Sequence, residues 1–250
     1  MVTFEKSQWN GFQRLDFTLE GRQAILIVPE TPVEGKKWLL KTEYFDAFPA
    51  FEIEMVRRGY HLAYIANETR WHKDEADDNA KAALADFLHR EFGLCDKCLP
   101  VGMSCGGMQA VYFTAKYPEK VAALYLDAPV MNLLSCPCAA GRDVGDKQPT
   151  FDFMYEEMVR TTGRTLIDLI NYRNHPIDNA NAIIEHNIPV MLICGGKDII
   201  VPYNENGKLL VEKMRAAGKD LTLIIKPDCE HHPHGLDDLT PLLDFVSKHY

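Results

Sequence analysis

Leu99-Pro100-Val101-Gly102-Met103-Ser104-Cys105-Gly106-Gly107 is the stretch that decides how this chain is read. Gly102, Ser104 and Gly106 form G-x-S-x-G where an apolar run, Leu99 to Gly102, gives way to an amphipathic stretch, Gly107 to Tyr117. A strand, a sharp turn and a helix in that order make a nucleophile elbow. Glycine is needed on both sides because the serine is held in a strained conformation, where neighbouring side chains would collide with the adjoining strand and helix. The helix N-terminus then favours a developing oxyanion, and the amide of Cys105 is the expected first donor. The pattern alone arises by chance about 0.1 times in such a chain, so its context carries the argument.

Outward from the elbow, short apolar runs alternate with amphipathic stretches, the pattern of a mostly parallel sheet covered by helices. Strands are expected at Gln13 to Leu19, Gln23 to Val28, Lys37 to Lys41, His61 to Ile65, Leu99 to Gly102, Val121 to Asp127, Val190 to Gly195 and Leu221 to Lys226, the last six buried and parallel. Helices are expected at Pro49 to Arg58, Asp74 to Phe92, Gly107 to Tyr117, Tyr203 to Ala217 and Leu236 to His249. Residues 1–250 thus read as a single α/β domain. Asn132 to Asn187 is longer than one crossover requires and reads as an insertion of three short helices, Phe151 to Thr161, Thr165 to Tyr172 and Asp178 to His186. It follows the carboxyl end of the strand ending near Asp127, where open α/β sheets build their sites, so a lid or pocket wall is expected.

Composition removes other classes. The 250 residues carry 27 Lys and Arg against 36 Asp and Glu, a net charge of −9, with 46% hydrophobic and 25% charged residues. An acidic chain of ordinary globular make-up, with no basic run, disfavours nucleic acid and anionic membranes as partners. Met1 to Trp9 lack a basic region followed by an apolar one, and no stretch is apolar enough to span a bilayer, so a cytoplasmic protein is expected. Seven cysteines, an odd number, fit reduced thiols.

A serine nucleophile needs an acid and a base after later strands, in the order Ser, acid, His. Asp198 lies just past the run ending Ile193-Cys194-Gly195, and Asp127 is the rival acid at the end of the preceding strand. After the last strand, Glu230-His231-His232-Pro233-His234 supplies three imidazoles, of which strand-end geometry favours His231 as base, with His232 the alternative one residue on. His232 and His234 are left for substrate contact or solvent. A metal reading of this cluster lacks a clear set of carboxylate partners, and the Cys95/Cys98 and Cys136/Cys138 pairs face opposite ends of the sheet. No metal and no cofactor are therefore expected.

The order and spacing of these motifs resemble the α/β-hydrolase superfamily over essentially the whole chain. Arg58-Gly59-Tyr60-His61, Gly102-Met103-Ser104 with Gly106-Gly107, Asn174 to Asn179, Cys194 to Pro202 and His231 to His234 are similar to a bacterial group of esterase-like and prolyl-oligopeptidase-like serine hydrolases. Cys105 stands where that group often has Arg, Asp228 to His231 replaces its Gly-x-Gly-His turn, and Pro100 sits inside a central strand, where a bulge would absorb its missing amide. The second oxyanion amide is expected in Lys41 to Phe45, with Glu43 the choice. Tyr44, Phe45, Trp71 and His72 are candidates to line the pocket, with Tyr44, Trp71 and His232 taken as substrate-binding.

The resemblance implies ester cleavage on a small molecule, such as an acylated sugar, through Ser104, His231 and Asp198. A peptidase or amidase with the same triad is the enzymatic alternative, although the 250 residues carry no separate large domain. A non-catalytic binding protein on the same fold is the second alternative. The sequence is silent on oligomeric state.

Overall fold

The computed structural model describes residues 2–250; Met1, where the stretch read for a leader begins, lies outside the described residues. Among these residues the strands are β1 (Glu5–Trp9), β2 (Phe12–Leu19), β3 (Arg22–Val28), β4 (Trp38–Lys41), β5 (His61–Ile65), β6 (Leu99–Met103), β7 (Leu124–Asp127), β8 (Val190–Gly195) and β9 (Leu221–Lys226). They form one sheet in the order β1-β2-β3-β5-β4-β6-β7-β8-β9. β1 to β3 run antiparallel to their neighbours, and the pairings from β5 through β4 to β9 are all parallel. The helices are α1 (Ala50–Arg57), α2 (Ala76–Phe92), α3 (Cys105–Lys116), α4 (Gln148–Thr162), α5 (Leu166–Asn171), α6 (Ala180–Glu185), α7 (Gly207–Ala216) and α8 (Thr240–His249).

Alternation along the strands builds two layers of core. On β3, Ala24 and Leu26 face one side while Ile25 and Ile27 face the other; on β4, Trp38 and Leu40 oppose Leu39. The first side packs Leu84 and Leu88 of α2, Ala110 and Phe113 of α3, Ala180 and Ile183 of α6 and Leu210 of α7. The second packs Phe51 and Met55 of α1 with Leu242 and Phe245 of α8.

Three differences from the sequence reading have local causes. β1 is an additional strand, joined to β2 through Asn10 and Gly11 at positive φ, the two-residue hairpin turn that Asn-Gly favours. β9 is half-buried rather than buried, because it closes the sheet as an edge strand. α6 belongs to the layer covering the sheet, so the part of the 132–187 segment that reaches beyond the strand ends is its earlier portion. Pro100 is accommodated: Cys98 pairs with Val121 but Val101 with Tyr125, leaving one extra residue on the β7 side opposite the missing amide.

A third apolar cluster sits over the strand ends. Leu133, Phe151, Met154, Met158 and Leu169 of the inserted segment meet Cys105, Met108 and Tyr112 of α3. The segment is tied down by polar groups too. Asn206 accepts hydrogen bonds from the amides of Met131 and Asn132, and His175 accepts one from Leu133 through Nδ1 while Nε2 faces the Leu169 carbonyl. No helix among the described residues is long and apolar enough to cross a membrane.

Candidate active site

Ser104 occupies the bend between β6 and α3 at φ 54° and ψ −120°. The bend fits only because of its glycines: a Cβ on Gly102 would stand 2.5 Å from the Gly106 carbonyl oxygen, and one on Gly107 would stand 2.5 Å from Cβ of Pro129. The Ser104 amide donates to the Asp127 carbonyl at 2.9 Å, fixing the elbow against the end of β7.

The loops after β8 and β9 bring the other two residues to this bend. His231 Nε2 lies 3.0 Å from Ser104 Oγ, and His231 Nδ1 lies 2.7 Å from Asp198 Oδ2. Asp198 Oδ1 accepts from the amides of Ile200 and Val201 at 2.9 and 2.8 Å, so one carboxylate both shapes its own loop and holds the imidazole. Burial raises the Asp198 pKa, but the hydrogen bond and charge of His231, with those two amides, outweigh it and hold the carboxyl below its ordinary value. Gly195 and Gly196 let the β8 loop lie directly against Pro227, Cys229 and Glu230, where any Cβ would strike backbone.

Cys105 opens α3, so its amide has no carbonyl within that helix to donate to. The Glu43 backbone nitrogen lies 3.5 Å from the position a Gly106 Cβ would take, beside the same first turn. Thr42 Oγ1 donates to the Gly106 carbonyl at 2.7 Å, and Asn67 Nδ2 donates to the Thr42 carbonyl and to Glu43 Oε2, each at 2.7 Å. The Glu43 carboxylate thus braces its own loop and does not reach the cavity.

A cavity of about 470 Å³ opens over Ser104, within the size range of small-molecule sites. Tyr44, Phe48, Met154, Ile199 and Ile200 supply apolar wall, and Arg70, Lys147, Glu230 and His232 supply polar groups. Burial and its Cys105 neighbour raise the Tyr44 phenol well above its ordinary value, while burial pushes the Cys105 thiol up to about 11. Both stay neutral at pH 7. A wider hollow of about 950 Å³ shares Phe48, Met103, Glu230, His232 and His234 with it.

Of the residues read from sequence as pocket lining, Tyr44 and His232 are on the wall. Trp71 is not: it is fully buried in the cluster beneath the inserted segment, its indole N–H donating to Glu157 at 3.0 Å. Phe45 and His72 are buried likewise, His72 stacking on Tyr112. Aromatic residues near strand ends serve the core here: the inserted segment covers Trp71 and His72, and Phe45 packs between Trp9 and Tyr64 on the opposite side of the sheet. Asp127 pairs with a different histidine from His231: its Oδ1 is 2.7 Å from His234 Nδ1, and Oδ2 accepts from the Gly235 amide. His234 is accordingly buried and partnered, not left to solvent. Arg70, held by Glu157, escaped the sequence reading although it precedes Trp71; nothing local marked which of the two would face the cavity.

Comparisons with known proteins agree with this frame. Similar solved structures include an acylaminoacyl peptidase of Pyrococcus horikoshii (15% identity, TM-score 0.64, covering 92% of this chain and 37% of that one). A dipeptidyl peptidase 4 of Porphyromonas gingivalis is similar at 14% identity and TM-score 0.62, covering 99% and 35%. An esterase of Pyrococcus furiosus is similar at 12% identity and TM-score 0.64, covering 100% and 93%. The chain therefore spans little more than a third of the two peptidases and nearly all of the esterase. No curated protein matches it. Fold and family together define an α/β-hydrolase of the serine hydrolase class. Within that class the chain belongs to the prolyl oligopeptidase family, peptidase S9, whose pattern matches residues 60–250.

Proposed function

We propose that this serine hydrolase cleaves carboxylic esters of a small molecule through Ser104, His231 and Asp198. The observation that carries the reading is the continuous chain Asp198–His231–Ser104, at 2.7 and 3.0 Å, opening directly into a largely apolar cavity. His231 Nε2 takes the Ser104 proton as Oγ attacks the ester carbonyl, and the amides of Cys105 and Glu43 receive the oxyanion. Asp198 keeps the imidazole oriented and stabilises its charged form without taking the proton. The alcohol leaves with the proton from His231, and water, activated by the same imidazole, releases the acid. No step requires a cofactor. Tyr44 and His232 contact the substrate, and the inserted segment walls the acyl or alcohol side through Lys147, Thr150 and Met154.

Family membership favours a second reading, hydrolysis of an amide or peptide bond by the same residues. Wild type, Ser104→Ala and His231→Ala separate these readings when assayed on acyl p-nitrophenyl esters, acetylated sugars and acyl or aminoacyl anilides. Turnover of esters above anilides, with both variants down by at least ~10³-fold, is the expected result. Anilide preference moves the assignment to the peptidase reading, and an unchanged rate in Ser104→Ala removes the mechanism.

A further inference from the structure

His231, His232 and His234 stand as a compact triangle at the mouth of the cavity. Their ring centroids are 4.8, 5.0 and 4.9 Å apart, and one nitrogen from each lies within 4.8 Å of the others. Two of the three are prepared in the way metal-binding imidazoles are. Asp198 holds His231 at Nδ1 and Asp127 holds His234 at Nδ1, each at 2.7 Å, leaving both rings their Nε2. A carboxylate on the far nitrogen fixes the tautomer and raises the basicity of the ligand atom, the arrangement that backs histidines on zinc. The Gly235 amide and the Tyr125 hydroxyl secure Asp127 in turn. His232 is the most exposed of the three, stacked on the Phe48 ring with no carboxylate holding it.

We propose that these three histidines form a binding site for a divalent transition-metal ion of the zinc class, and that filling it switches the hydrolase off. Imidazole nitrogen suits zinc, whose bonds of ~2.0–2.1 Å put tetrahedral ligands about 3.4 Å apart, a convergence that rotation of His232 and small shifts of the other rings supply. The ion takes the Nε2 lone pair of His231, the same pair that accepts the Ser104 proton. Metal and proton transfer then exclude each other, and a chelator reverses the block. Silencing rests on His231 being the general base; binding does not.

The test titrates zinc into the full chain against a chromophoric chelator while ester hydrolysis is followed in parallel. One ion per chain is expected, with loss of hydrolysis at the same midpoint and recovery on adding EDTA. His232→Ala removes an exposed ligand without disturbing the core, and His234→Gln keeps a donor toward Asp127. Each should weaken zinc binding by at least ~10-fold and move the inhibition midpoint with it. Zinc binding unchanged in both variants, or none in wild type that competes with the chelator, overturns the site. Zinc bound by the histidines while hydrolysis continues overturns the switch. If wild type hydrolyses no ester or anilide, the chelator competition still decides the site by itself.

Discussion

Single side chains in this protein are set by what burial does to their charge. His61, at the start of β5, is 4% exposed, and its Nδ1 has no partner. Burial, ahead of the opposing backbone hydrogen bond with Lys37, depresses its pKa from 6.5 to about 4. Above pH 6.5 both folded and unfolded chains hold it neutral. Below that, the unfolded chain binds a proton that the folded chain refuses until about pH 4, so stability falls with falling pH. Urea unfolding at pH 7 and pH 5 should show this group contributing about 2 kcal/mol of the loss. His61→Asn should flatten that part of the slope. The elbow obeys a steric version of the same logic: the backbone at Gly102 and Gly107 approaches carbonyl and proline atoms so closely that even a methyl group has no room. G-x-S-x-G was legible because sterics of this kind leave so few residue types; the burial of the strand that begins at His61 was legible too, but the missing partner of its imidazole was set by tertiary packing.

Elements are locked together by buried charge as well as by apolar packing. Lys41 at the end of β4 pairs with Glu52 of α1, both with no exposure, and its Nζ also meets the Ala47 carbonyl and lies 3.5 Å from Met103 Sδ. This pair underlies the residue before Ser104, while Glu52 Oε2 is left without a partner. Glu52→Gln, which strands the ammonium, should cost about 3–5 kcal/mol in chemical denaturation, and Lys41→Met with Glu52→Leu should restore most of it. Apolar periodicity announced α1 and β4 without revealing this lock, since nothing local pairs Lys41 at a strand's end with Glu52 in the following helix. β1 was missed despite the turn signal of Asn10-Gly11, because its residues are exposed almost throughout and carry little apolar alternation.

At the scale of the molecule, the segment between β7 and β8 is a second layer built over the strand ends. Arg70 and the Trp71 indole both donate to the Glu157 carboxylate, joining α4 to the loop after β5, and Arg142 reaches across to the Ile199 carbonyl beside Asp198. Glu157→Ala leaves the buried indole N–H unpaired and frees Arg70 toward the cavity. It should cost about 1–3 kcal/mol in stability. It should also speed proteolytic cutting within residues 132–175 and raise KM for esters more than it lowers kcat. An unchanged cleavage pattern would show that the apolar cluster under α4 holds the segment without the carboxylate.

Order along the chain is itself chemical information, and the sequence determined what depends on order. The elbow, an acid after a later strand and a histidine after the last one follow from strand ends that parallel pairing must bring to one edge of the sheet. Distances between segments far apart in the chain were decided only by the tertiary structure. Folding settled which carboxylate meets which histidine, giving Asp198 to His231 and Asp127 to His234. It also chose Arg70 over Trp71 for the cavity wall and turned His232, but not the buried His234, outward to solvent. Those outcomes depend on the packing of loops 30 to more than 100 residues apart, where a shift of one or two ångströms exchanges partners and no local pattern records the result.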